Sequence, residues 1–143
     1  MVWLLLVHGI ATAYMTGLVW FVQVVHYPMF ARVAADDFAA YEREHVRRTN
    51  LAVSGPMLIE AAATVGLVVA WRDRPGAWLA WVGLALLVIV WGSTVMLQVP
   101  CHRRLEKGFD RAAIDRLVQT NWWRTVAWSA RSAVASVMFV HVG

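Results

Sequence analysis

Three histidines carry the first hint of chemistry in this chain: His26 in "QVVHYPMF", His45 in "EREH" and His102 in "QVPCH". On a helix, positions i, i+3 and i+4 share a face. Gln23, His26 and Tyr27 therefore form one stripe, and Gln98, Cys101 and His102 another. Imidazole suits iron, copper or zinc, so His26, His45 and His102 could ligate a transition metal, with Glu42 or Glu44 completing the shell. "EREH" supplies one Glu-x-x-His turn of the kind used in di-iron bundles, and the sequence holds no second copy. Alternatively, His26 and His102 would give two axial nitrogens to a haem, with Gln23, Gln98 and Asn121 beside it. A third reading needs no cofactor: interfacial residues whose polar tips reach water, with the glutamines bonding across helices.

A second group is defined by its depth. Glu60 in "MLIEAAAT" lies in the middle of an apolar stretch, where an ionised carboxylate costs several kcal/mol unless neutralised or paired. Arg131 in "WSARSAV" sits ten residues beyond Asn121, as Glu60 sits ten beyond Asn50, so the two are expected level with each other as an ion pair. The pair would either fix helix packing or make Glu60 a proton acceptor or substrate anchor with Arg131 beside it. Glu60, Arg131 and Tyr27 are the candidate catalytic residues. Arg124, one turn inside the same segment, is expected to snorkel to headgroups, the alternative being a hold on an anionic substrate. His8 and His141 are expected near the opposite face and unrelated to the histidine cluster.

These residues need elements to position them, and composition says which. With 60% hydrophobic residues, 15% charged residues and a mean hydropathy of +0.56 over 143 residues, the chain has more apolar surface than one soluble core would hide. Nine tryptophans, several at the ends of apolar runs, fit aromatic belts at a bilayer surface. The lone Cys101 excludes an internal disulfide, and no arginine-rich block with interleaved aromatics points to nucleic acid.

Four stretches reach spanning length: residues 2–27, 51–71, 77–99 and 122–142. The first lacks a basic n-region and has too long an apolar core for a cleavable signal peptide, so it is expected to remain in the mature chain. "RDRPG", residues 72–76, makes a tight turn, so the second and third spans are antiparallel neighbours. The other two connections hold "DDFAAYEREHVRRT" and "DRAAIDRLVQT", which predict short amphipathic helices or extensions of the next spans. These two connections carry nine Lys and Arg against two in the turn, so they are expected in the cytoplasm with both termini outside, in a bacterial inner membrane.

The order Gln, His, Phe, Thr, Asn occurs twice, as Gln23, His26, Phe38, Thr49, Asn50 and as Gln98, His102, Phe109, Thr120, Asn121. This predicts two parallel repeats of a helical hairpin, residues 1–74 and 75–143, related by an axis along the membrane normal. The expected fold is thus all-α, an integral membrane four-helix bundle forming a single domain, with His26 and His102 facing each other across the axis. No Gly-x-x-x-Gly motif marks a dimer face, although a homodimer fits the same surface.

The blocks "QVVHYPMF", "EHVRRTN", "GPMLIE", "LQVPCHRRLEKGFD" and "TNWWRTVAWSAR" resemble those of small uncharacterised bacterial four-span membrane proteins. The plan of nearly the whole chain is similar to that of anthrone-oxygenase-like membrane proteins, with the arginine-bearing start of the fourth span the nearest motif. The resemblance implies a cofactor-poor oxygenase or related oxidoreductase acting on a lipophilic, often aromatic substrate, and it carries no catalytic residue over. The expected function is a small membrane oxidoreductase for a lipophilic small molecule, with metal (Fe, Cu or Zn) or haem. The alternatives are a non-catalytic accessory subunit or assembly factor contacting other membrane subunits, and an oligomeric transporter.

Overall fold

Residues 1–141 are described by a computed structural model as four helices: α1 Val2–Arg32, α2 Phe38–Trp71, α3 Ala77–Leu105 and α4 Arg111–Val140. The final residue of the expected fourth span, Val142, lies outside the described residues. Helices α1, α2 and α3 are long and apolar enough to cross a membrane. The expected fourth span differs: α4 is 30 residues long, but Arg124, Arg131 and three serines among its apolar residues keep it below that standard.

Each helix boundary has a local cause. Pro75 and Gly76 break the chain after α2, with Gly76 at φ +78°, a left-handed conformation glycine adopts without a Cβ penalty. The Trp71 indole N–H closes the same turn on Pro75 O at 3.0 Å. Asp110 caps α4, its carboxylate accepting from Ala113 N–H at 3.0 Å. Pro28 does not end α1 as the sequence suggests. The helix widens to a π-turn over Val22–His26, which lets the backbone pass the proline ring, and continues through Tyr27–Met29. In α3, Pro100 is likewise preceded by a π-turn, Thr94–Gln98. Pro56 inside α2 withdraws the N–H that would bond Ala52 O, and the Tyr14 hydroxyl of α1 donates there instead at 3.3 Å.

Of the two expected alternatives, short amphipathic helices or extensions of the next spans, the described residues show the second: those stretches form the first turns of α2 and α4, and each runs without a break into its span. The two long connections shrink to five residues each, 33–37 and 106–110, the same length as the 72–76 turn. Such short links make successive helices antiparallel neighbours. Helix α1 packs on α2 and α4, and α3 packs on the same two, so α1 faces α3 and α2 faces α4 across diagonals.

Three apolar layers fill the bundle. At the end of the 72–76 turn stand Leu5, Leu67, Trp71, Leu79 and Met138. The middle holds Met15, Val19, Met57, Val90 and Trp128. At the far end, Tyr27, Phe30, Phe38, Leu105, Ile114 and Leu117 pack together. The outer surface is also apolar, with Trp3 and Val140 80% exposed and Leu51 76%. In the apolar windows of α1, α2 and α3 only 28–33% of residues are buried inside the protein. Hydrocarbon outside the bundle would cover the rest.

Candidate functional site

Two buried polar clusters lie between these layers. The first separates the turn-end layer from the middle. Arg131 Nε donates to Glu60 Oε1 at 2.9 Å, and neither side chain has any exposed surface. The pair crosses the α2–α4 diagonal. Thr12 Oγ1 also donates to Glu60 Oε1 at 2.8 Å, and Trp128 Nε1 donates to Oε2 at 3.0 Å. Arg131 uses its remaining donors on Thr64 Oγ1 at 2.9 Å and on the Gly83 carbonyl, with His8 Nε2 at 3.4 Å. Both oxygens of the carboxylate and all three nitrogens of the guanidinium are engaged.

His8 therefore belongs to this cluster, as the sequence reading did not anticipate, and lies apart from the three histidines at the other end. It and Thr12 lie one turn apart on α1, as Glu60 and Thr64 do on α2, at the same depth from the turn end. The i, i+4 spacing of these polar residues was the available sign. Trp128 and Gly83 gave none, because an indole or a glycine in an apolar helix has many uses.

The second cluster lies between the middle layer and the far end. His102 Nδ1 meets Glu42 Oε1 at 2.5 Å, and Glu42 is wholly buried. A carboxylate only accepts, so His102 Nδ1 carries the proton of that bond, and His102 Nε2 shares a second hydrogen bond with the Tyr27 hydroxyl at 3.1 Å. His45 Nδ1 lies 2.8 Å from His26 Nε2 and 3.2 Å from Thr49 Oγ1. Glu42 Oε2 and His45 Nε2 are buried with no partner at all. One donor atom each from Glu42, His45 and His102 lies within 4.8 Å of the others, a grouping that could hold a metal ion.

Of the expected ligands, His26 falls outside that grouping and bonds to His45 from behind. Glu44, on the far side of the turn, binds Arg47 and Arg48 on the surface. The expected equivalence of His26 and His102 is not met: His26 ends one π-turn and Gln98 ends the other, so His102 lies a turn farther along. Nor is there a slot for a haem between them. His45 stacks on His102 with ring centroids 5.4 Å apart and on His26 at 4.7 Å, and Tyr27 packs on His102 at 5.6 Å, so rings fill the space.

Gln23, Gln98 and Asn121, expected near a cofactor, instead tie α4 to α1 and α3. Gln23 Oε1 accepts from Asn121 Nδ2 at 3.0 Å, and Gln98 Nε2 donates to Thr120 Oγ1 at 2.9 Å, leaving Gln98 Oε1 buried without a partner. Arg124 does not snorkel. It is buried, donating Nη1 to Asn121 Oδ1 at 3.1 Å and lying 5.2 Å over the Trp128 ring.

A cavity of about 290 Å³ connects these parts. Met15, Leu18, Val19, Val53 and Met57 form its apolar wall; Tyr27, His45, His102 and Arg124 form its polar end. A second hollow of about 530 Å³, lined by Phe21, Val22, His26, Tyr41 and Ala52, reaches His45 and Thr49 from the other side. No family profile, curated protein or solved structure matches this chain.

Proposed function

We propose that this protein is a small membrane oxidoreductase that binds a metal ion through Glu42, His45 and His102 and acts on a lipophilic small molecule held in the adjoining cavity. One observation carries the reading: Glu42 Oε2 and His45 Nε2 are buried with no partner, in a group whose two histidines line the cavity. Such groups cost about 1–3 kcal/mol each unless something satisfies them, and a cation coordinated by both would do so.

Two imidazoles and one carboxylate are the donor set of non-haem iron(II) oxygenases, and zinc hydrolases use the same set. Iron is favoured here because Met15, Leu18, Val19, Val53 and Met57 make an aliphatic wall beside the donor set, which suits oxidation of a hydrocarbon-rich substrate. A bound iron would supply redox chemistry. The chain's own residues would set its shell. His45 Nδ1–H, donating to His26 Nε2, would leave His45 Nε2 as a free lone pair for the metal. At His102 the metal would replace the Nδ1 proton, and the imidazole would then hold a proton on Nε2, with Tyr27 Oη accepting it. His26 and Tyr27 are thus positioning residues on this reading.

The bundle is read as two parallel hairpins, since α1 and α3 each carry a π-turn just before a proline. The four helices are read as spanning a bacterial inner membrane, α4 tolerating its arginines because the other three shield it. The nine Lys and Arg around the two long connections put that end, and the cavity, on the cytoplasmic side on this reading.

The test is metal analysis of detergent-purified protein loaded anaerobically with ferrous iron. One iron per chain is expected, falling to background in Glu42→Ala and in His102→Ala. Wild-type protein that takes up no iron, copper or zinc would end the proposal and favour an accessory subunit. Uptake unchanged in both variants would move the site elsewhere.

A further inference from the structure

Arg124 is the one cation in the cavity wall that is buried and has no carboxylate partner among the described residues. Its side chain is 9% exposed, Nη1 is engaged by a neutral amide, and Nε is buried with no acceptor. The other buried arginine, Arg131, shows what the bundle supplies where such a charge is neutralised: a carboxylate at 2.9 Å. An ammonium- or guanidinium-sized ion out of water costs several kcal/mol if nothing offsets it. The Trp128 face at 5.2 Å offsets part of this, and a bound anion would offset the rest.

The geometry points to a single-chain amphiphile with a monoanionic head, of the fatty-acid class, as the cavity's ligand: carboxylate on Arg124, tail along Met15, Leu18, Val53 and Met57. This rests on the proposed function only in taking the cavity as a ligand site; it needs no metal. Three features select that chemistry. Arg124 carries one uncompensated charge, which a carboxylate matches and a phosphate dianion exceeds. The wall beyond it is aliphatic. The volume, about 290 Å³, lies at the small end of ligand pockets, which run to roughly 1,000 Å³, and a two-chain lipid would not fit.

The other arginine of the lining, Arg103, is exposed, and its carboxylate, Glu106, is partly exposed. Their opposite charges offset each other, so the anion meets its main attraction at Arg124. With the head there, the first carbons of the tail would lie on the side of the cavity that holds His45 and His102. On the metal-binding reading, those carbons would be the ones presented to the metal.

Equilibrium binding of radiolabelled decanoate, with decanol as the uncharged control, tests this in detergent-purified full-length protein treated with chelator. Wild type is expected to bind decanoate at least tenfold more tightly than decanol. Arg124→Met is expected to abolish that preference while leaving decanol binding unchanged. Should Arg124→Met fail to fold, Arg124→Lys, which keeps the charge, is expected to retain the preference, and Met57→Trp, which fills the aliphatic wall, to weaken both ligands. Equal binding of the two ligands by wild type overturns the inference, as does a preference that survives Arg124→Met. Displacement of decanoate by dioctanoylphosphatidylglycerol at equal concentration overturns the single-chain assignment. A preference that appears only when iron is restored assigns the carboxylate to the metal, refuting the role of Arg124 while sparing the metal reading. A preference in protein that binds no metal does the reverse.

Discussion

The two buried polar clusters use nearly the same parts and end in opposite states. Around Glu60 and Arg131 both carboxylate oxygens and all three guanidinium nitrogens are engaged, by Thr12, Thr64, Trp128, His8 and Gly83 O, and His8 Nδ1 alone in that group is left without a partner among the described residues. Around Glu42 and His45, polar atoms equally buried are left unpaired, and Gln98 Oε1 and Arg124 Nε nearby share that condition. A saturated ion pair can hold helices together but has nothing left to offer a ligand. An unsaturated cluster is costly to keep and is ready to bind. Exposure alone would not separate the two, since Glu42 and Glu60 are both wholly buried. What separates them is the adjoining space: the cavity reaches His45 and His102 and does not reach Glu60.

The strongest way to break this comparison is to unbalance the saturated cluster. Arg131→Met leaves the Glu60 carboxylate uncompensated in the interior and should lower stability by about 3–5 kcal/mol, measured as denaturant unfolding in detergent. Adding Glu60→Gln should restore much of that loss, because a neutral side chain no longer needs the cation. Strict additivity of the two changes would show that the residues do not interact. Iron uptake by whatever fraction remains folded should be unchanged in either variant. A loss of uptake there would mean that the clusters are one functional unit.

The unsaturated cluster should answer in the opposite sense. Glu42→Gln keeps an acceptor for His102 but removes a buried charge with an orphaned oxygen, so metal-free protein should unfold within about 1 kcal/mol of wild type or be more stable. Its iron uptake should nonetheless vanish. A large fall in stability would make Glu42 a packing residue like Glu60. Tyr27→Phe is milder, since it removes only the hydroxyl at His102 Nε2. Partners of that kind are worth roughly 10–100-fold in metal affinity, which competition with a calibrated chelator would read. An unchanged affinity would exclude Tyr27 from the metal's surroundings.

How much of this the sequence discloses depends on what periodicity can carry. Apolar runs of spanning length and the Pro-Gly turn announce the helical bundle, and counting along α2 and α4 puts Glu60 level with Arg131. The repeated order of Gln and His draws the eye to the right end of the molecule but to the wrong pairing. The π-turns before Pro28 and Pro100 each shift the helical register, and a residue count at 3.6 per turn cannot register such a shift. The partner choice of His26 is illegible for a related reason. It depends on how far Phe38–Trp71 extends toward the connection, and only the continuous helix carries His45 back over the bundle mouth. Arg124 misleads because a long basic side chain near a helix end ordinarily reaches water; the Asn121 amide and the Trp128 ring hold it inward.

A third carboxylate sets the scale for the other two. Asp110 is at the start of α4, where the Ala113 N–H, and after it Arg104, holds its carboxyl below the usual aspartate range. A carboxyl whose pKa is lower in the folded state stabilises the fold above its unfolded pKa of about 3.9, and that contribution is lost as pH falls through the folded value. Asp110→Ala should therefore melt at a slightly lower temperature than wild type at neutral pH, with the gap closing below about pH 4. Glu42→Gln, by contrast, should show no such neutral-pH deficit. A gap for Asp110→Ala as large as that of Arg131→Met would mean that a partly exposed helix cap rivals the interior ion pair. The contrast between a saturated interior and a ligand-ready mouth would then no longer describe where the stability of this bundle resides.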